Sequence, residues 1–89
     1  MQVKASHILV NTLEEAVSLS EQIKEGVSFD QLARQHSKCP SGRNGGDLGQ
    51  FGPGQMVKPF EEATFGLPVG AYSAPVQTQF GYHLILRTA

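Results

Sequence analysis

Hydrophobic and polar positions alternate from Val3 to Val10, with β-branched residues among them, which predicts a strand ending near Asn11. Thr12 followed by Glu15 forms a capping box, in which the hydroxyl and the carboxylate satisfy the free amides of a helix start. Leu13, Ala16, Val17, Ser20 and Ile23 then recur on one helical face, and Gly26 supplies a left-handed stop. Ser28 and Gln31 repeat the capping pattern, with Phe29, Leu32 and Ala33 as the buried stripe of a second helix that Cys39-Pro40 ends or breaks. Ser41 to Gly54 is rich in glycine and turn residues, with a short strand candidate at Asp47–Phe51. Pro59 begins a further helix, because its fixed φ suits a first turn. Glu61 and Glu62 sit at the positive end of that helix, and Gly66 closes it. After a turn at Leu67–Gly70, Ala71–Val76 and Tyr82–Arg87 read as antiparallel strands around Gln77–Gly81, with Pro75 on an edge. The order is strand, two helices with room for a short third, strand, helix and two strands. That is an α+β layer in which a small sheet is half-covered by helices.

Composition narrows this picture. The 89 residues make one domain, 1–89, and 39% apolar residues suffice for one compact core. A net charge of −1 gives no electrostatic reason to expect nucleic acid or a membrane surface as partner. The single cysteine excludes an internal disulfide. No apolar run approaches the roughly 18 residues of a membrane helix, and the start lacks a charged-then-apolar leader pattern. The expectation is a soluble cytoplasmic monomer, although a domain excised from a longer exported protein fits the same stretch.

The candidate chemistry is sparse. His7 and His83 lie in strands of one small sheet and could meet on one face, whereas His36, at the end of a polar helix, reads as a solvated surface residue. Cys39 is open to three readings: nucleophile, metal ligand or small buried group. A Cys–His protease needs a base beside the thiol, a group orienting that base and a substrate cleft, for which 89 residues leave little room. A zinc site is disfavoured because positions 7, 36, 39 and 83 lack paired short ligand spacing. The segment Ser41-Gly-Arg-Asn-Gly-Gly-Asp-Leu-Gly49 lacks the Gly-Lys-Ser/Thr ending of a P-loop and reads as turns needing positive φ. Met56 and Phe60 stand at a helix entrance, where core packing and a shallow apolar pocket are both open.

These residues occur in blocks. Ser6-His-Ile-Leu-Val10, Phe29 with Leu32-Ala33 and Ser37, Cys39-Pro-Ser-Gly42, Gly45-Gly-Asp-Leu-Gly49, Gly54-Gln-Met-Val-Lys-Pro-Phe60 and Thr78-Gln-Phe-Gly-Tyr-His83 follow one another at short spacings. In this the chain resembles the parvulins, from about Lys4 to Arg87. The resemblance implies a βα3βαβ2 order, a four-stranded antiparallel sheet with helices around it, and an active site on the sheet's open side. It further implies peptidyl-prolyl cis/trans isomerase activity without cofactor or metal, acting on proline-containing peptides and unfolded or partly folded proteins in a folding-assistance role. Carried over by position, Leu48, Met56, Phe60 and Phe80 would hold the proline ring, and His7 and His83 would be the paired histidines at the base of the site. Thr78 would supply the hydroxyl of that network, and Cys39 the thiol beside the rotating amide.

Phosphate-directed members carry a basic loop after the first strand, but here that connection is Asn11-Thr-Leu-Glu-Glu15, short and acidic. A neutral or apolar residue before proline is therefore expected. Rotation needs no bond to be made, so the expected mechanism is non-covalent: desolvation and electrostatic stabilisation of the twisted amide, with the histidines fixing geometry. The competing class is a peptide-binding or holdase module that keeps the fold and the pocket without catalysis.

Overall fold

The computed structural model describes residues 2–89. The first strand, β1, runs Val3–Val10 and is followed by helices α1 (Leu13–Lys24) and α2 (Phe29–His36). A single 3₁₀ turn at Pro40–Asn44 leads into β2 (Asp47–Phe51). Then come α3 (Lys58–Phe65), β3 (Val76–Thr78) and β4 (Gly81–Arg87). The short third helix expected before the second strand is thus the 3₁₀ turn. The four strands form one antiparallel sheet in the order β2-β1-β4-β3, so the two long strands that carry histidines lie side by side at its centre.

Local chemistry accounts for most boundaries. The Thr12 hydroxyl accepts from the Glu15 amide and the Ser28 hydroxyl from the Gln31 amide, so both capping patterns start helices. At the other end of α1, the Gly26 amide donates to the Ile23 carbonyl and the Val27 amide to the Gln22 carbonyl. That pair of bonds closes the helix, and Gly26 takes the left-handed φ of 102° expected of it. Gly66 ends α3 in the right-handed region instead, at φ −80°.

Period-two alternation divides β1 between two layers. Ile8 and Val10 face α1 and α2, packing with Ala16, Leu19, Leu32, Ala33 and Leu84. Val3 and Ala5 face the other way and pack with Phe51, Phe60 and Ile85 under α3. The sheet therefore has helices on both faces and splits the expected single core in two, leaving open the part of the second face that α3 does not reach.

Two further expectations need correction. Leu13 and Val17 of α1 are 49% and 42% exposed, while Leu19, outside the stripe read from the sequence, is 3% exposed. The helix sits rotated so that the small Ala16 lets it approach the sheet and Leu19 fills the space beside it. Of the strand expected over Ala71–Val76, only Val76 lies in β3 and Tyr72 forms an isolated bridge with Leu86, while β3 runs on through Gln77 and Thr78, which were expected in the turn. Pro75 has no amide to give a ladder, and at Ser73 the side-chain hydroxyl accepts from the Ile85 amide, replacing a backbone carbonyl. No helix among the described residues is long and apolar enough to cross a membrane.

Candidate active site

Register brings the two strand histidines together. His7 stands opposite Ile85 and His83 opposite Leu9, so His7 and His83 are diagonal neighbours on the face that carries α3. Their rings stack with centroids 5.1 Å apart and planes 17° apart, and their Nδ1 atoms are 2.9 Å from each other. Phe60, on α3 and 3% exposed, meets both rings edge-on at 5.5 Å and 5.2 Å. Two glycines make the approach of neighbouring backbone possible. Gly46 (φ 85°) receives the His7 amide on its carbonyl at 2.9 Å, and a side chain there would strike the His7 backbone. Gly81 (φ 137°) lies against the Val10 carbonyl in the same way, which seats the β3–β4 turn over the end of β1.

The imidazoles belong to a longer chain of hydrogen bonds. His83 Nε2 is 2.7 Å from Thr78 Oγ1, which also accepts from the Phe80 amide at 3.2 Å. His7 Nε2 is 3.2 Å from Ser41 Oγ, whose hydroxyl donates to Cys39 Sγ at 3.2 Å. That last bond sets the direction of the rest. Because Ser41 donates to sulfur, its oxygen accepts from His7 Nε2–H. His7 Nδ1 must then accept from His83 Nδ1–H, and His83 Nε2 from the Thr78 hydroxyl. Every member is satisfied with both rings neutral. Burial holds both histidines below their ordinary pKa, and for His7 the neighbouring His83 lowers it further, to about 4. A proton added at His7 Nδ1 would face the His83 N–H and break the central bond, which is why the pair stays neutral at physiological pH.

Above this base lies a cavity of about 540 Å³. His7 and Leu9 of β1, Leu48 of β2 and His83 of β4 contribute to its floor and sides. Gln55, Met56, Val57 and Phe60 come from the entrance of α3, and Phe80, 59% exposed, from the β3–β4 turn. Lys38, Cys39 and Pro40 close the remaining side. The loop that presents Met56 is tied down twice: the Gly52 amide donates to Gln55 Oε1 at 2.8 Å and the Gly54 amide to Glu61 Oε1 at 2.6 Å. Segment 37–39 is pinned to β1, with the Lys38 amide donating to the Leu9 carbonyl and the Ser37 hydroxyl accepting from the Leu9 and Cys39 amides.

The structure thus gathers His7, Cys39, Leu48, Met56, Phe60, Phe80 and His83 around one cavity, with Thr78 joined through His83. His36 is exposed and does not line it. Sequence reasoning missed Leu9, whose alternation with His7 would have put it on this face, and Ser41, which links Cys39 to the histidines. The Cys39 thiol contacts a serine hydroxyl rather than an imidazole, which removes the base a cysteine protease would need. Among the described residues, no group of three or more histidine, cysteine or acidic side chains is placed to hold a metal.

The sequence pattern of the PPIC-type PPIASE domain matches residues 1–88. The chain belongs to the parvulin family of peptidyl-prolyl cis/trans isomerases. Its parvulin domain is 49% identical over 85 residues to the foldase protein PrsA of Geobacillus kaustophilus, covering 94% of this chain but 30% of that relative. The chain therefore spans less than a third of the PrsA relatives it matches. It is 42% identical over 114 residues to the peptidyl-prolyl cis-trans isomerase Pin1 of Arabidopsis thaliana, covering 99% of this chain and 96% of that one. The solution structure of NmPin, the parvulin of Nitrosopumilus maritimus, superposes with a TM-score of 0.89 at 45% identity, covering 99% of this chain and 96% of that one. The α+β fold with a four-stranded antiparallel sheet is thus that of the parvulins.

Proposed function

We propose that residues 1–89 act as one isomerase domain that speeds rotation about X–Pro bonds in peptides and in unfolded or partly folded proteins, non-covalently and without needing a phosphate on the substrate. The observation that carries this reading is the pairing of a largely apolar cavity with a polar wall whose hydrogen bonds are already satisfied among themselves. Such a wall offers fixed dipoles and no group waiting to exchange a proton.

Rotation about the X–Pro bond is slow because amide resonance must be broken, a barrier of roughly 18–20 kcal/mol. Lowering it by roughly 3–7 kcal/mol brings turnover into the usual enzyme range. Leu48, Met56, Phe60 and Phe80 hold the proline ring and exclude water. Water stabilises the planar, charge-separated amide, so desolvation favours the twisted state. The Cys39 thiol stands beside the rotating carbonyl as a polar neighbour. His7, His83 and Thr78, joined by Ser41, hold the wall rigid and neutral. Covalent attack by Cys39 would have to be followed by expulsion of the thiolate without cleavage, an unnecessary step for so small a barrier change.

The β1–α1 connection supports independence from phosphate, since Asn11 and Thr12 lead straight into Glu14 and Glu15 in the first turn of α1, and none of them is basic. The domain is further proposed to assist folding and to act as a cytoplasmic monomer; light scattering and cell fractionation test the last two points. The activity itself is tested by exchange NMR on a short proline peptide, with and without catalytic amounts of the protein. Faster exchange establishes the isomerase. Binding without faster exchange makes this a peptide-binding module.

A further inference from the structure

Among the described residues, Lys38 is the only lysine, arginine, aspartate or glutamate on the wall of the proline cavity. At Cys39 and Pro40 that wall rolls over into a second cleft of about 360 Å³, lined also by Arg34 and Arg43, so Lys38 belongs to both. Among the described residues, neither cleft carries an aspartate or glutamate. Asp30 pairs with Arg34 at 3.5 Å, while among the described residues Lys38 and Arg43 form no ion pair. One lip of the cavity is therefore positive in a chain whose net charge is −1.

We propose that Lys38, backed by Arg43, gives the domain a preference for an acidic residue, Glu or Asp, immediately before the proline. The inference rests on the isomerase reading above and reverses the neutral preference expected from the sequence. The ring pocket is built around Met56 and Phe60, and the imidazoles are engaged with each other and with hydroxyls. The polar wall groups left to face the rotating amide are the Gln55 side-chain amide, at the entrance of α3, and the Cys39 thiol, next to Lys38. With the carbonyl at Cys39 rather than Gln55, the residue before proline lies over segment 38–39, and its side chain faces the Lys38 ammonium.

An exposed pair of this kind gives about a five-fold preference for Glu over its neutral isostere Gln, and about ten-fold for Glu over Lys, where the cation repels. The effect is Coulombic and weakens with salt. Because the cations stand on one lip and do not enclose the anion, phosphoserine gains no more than a few-fold over Glu.

The experiment compares kcat/KM, relative to the uncatalysed rate, for peptides with Glu, Gln, Lys or phosphoserine before proline. Exchange NMR is run from about 20 mM to about 500 mM salt, that is, from weak to strong screening. Wild type should rank Glu above Gln above Lys, with the differences fading in high salt. The Glu-to-Gln ratio should fall towards one in Lys38→Gln, shrink in Arg43→Gln and invert in Lys38→Glu. Equal rates for Glu and Gln in the wild type, or a ratio indifferent to both salt and Lys38→Gln, overturn the inference. A phosphoserine peptide turned over far faster than all others overturns it too, in favour of phosphate recognition. Absence of turnover with every peptide overturns the isomerase reading as well. Should Lys38→Glu fail to fold, the wild-type salt series and Arg43→Gln still decide.

Discussion

Acid should unfold this domain earlier than its carboxylates alone would require. Folded His7 takes a proton only below about pH 4, whereas an unfolded histidine does so from about 6.5. Between those values the unfolded chain binds more protons, so the stability held above pH 6.5 is lost as pH falls. At 1.36 kcal/mol per pKa unit, the full loss from His7 is on the order of 3 kcal/mol, of which about 2 is gone by pH 5. The lowered pKa of His83 acts in the same direction. A domain of this size holds roughly 5–15 kcal/mol in total, so the loss should be visible as a melting temperature lower by roughly 10 °C at pH 5 than at pH 7.5. Chemical denaturation at several pH values measures it, and NMR of the imidazole carbons identifies the group responsible. Stability that stays flat between pH 7.5 and 5, or a His7 ring titrating near 6.5, would refute the neutral, mutually bonded pair.

The other consequences are separable. Cys39→Ser should keep the isomerisation rate within about ten-fold of wild type, since a hydroxyl preserves a polar neighbour; a loss of several orders of magnitude in peptide exchange would implicate the thiol as nucleophile. Ser41→Ala leaves His7 Nε2 without its partner and should lower stability by about 1–3 kcal/mol in denaturant titration; an unchanged midpoint would contradict a structural role for that bond. Gly46→Ala forces a side chain into the His7 backbone from a left-handed conformation; a loss of about 3 kcal/mol or failure to fold, seen by circular dichroism, is expected, and a neutral result would contradict the tight β1 contact.

Much of the fold could be read from the chain because its signals were local. Thr12 with Glu15 and Ser28 with Gln31 mark helix starts through bonds made within one turn, and the bounds of β1 and β2 follow from alternation and flanking turn residues. What failed depended on tertiary context. The face read for α1 joins Ala16 to Leu13 and Val17, whereas the buried one joins Ala16 to Leu19 on its other side, and only packing against the sheet chooses between them. The break between the Tyr72 bridge and β3 goes with a Ser73 side chain doing a carbonyl's work, which no propensity reports. In the site, His7, His83, Met56 and Phe60 stood out by residue type and by family resemblance. Ser41 looked like a turn residue until the 3₁₀ segment brought it between Cys39 and His7, and Lys38 and Arg43 became one lip only when that segment folded back.

The central claim is that the Met56–Phe60 cavity holds a proline ring and that holding it there speeds rotation. Exchange NMR on a proline peptide, run side by side with wild type, Met56→Ala and Phe60→Ala, addresses it most directly. Met56 is half-buried and Phe60 almost fully buried, so the first variant should stay folded, while the second should lose about 3–5 kcal/mol. The predicted result is rapid cis/trans exchange with wild type and a collapse of that rate in both variants, Met56→Ala showing it without unfolding. Wild-type exchange no faster than the free peptide's despite binding, or an undiminished rate in folded Met56→Ala, would contradict it.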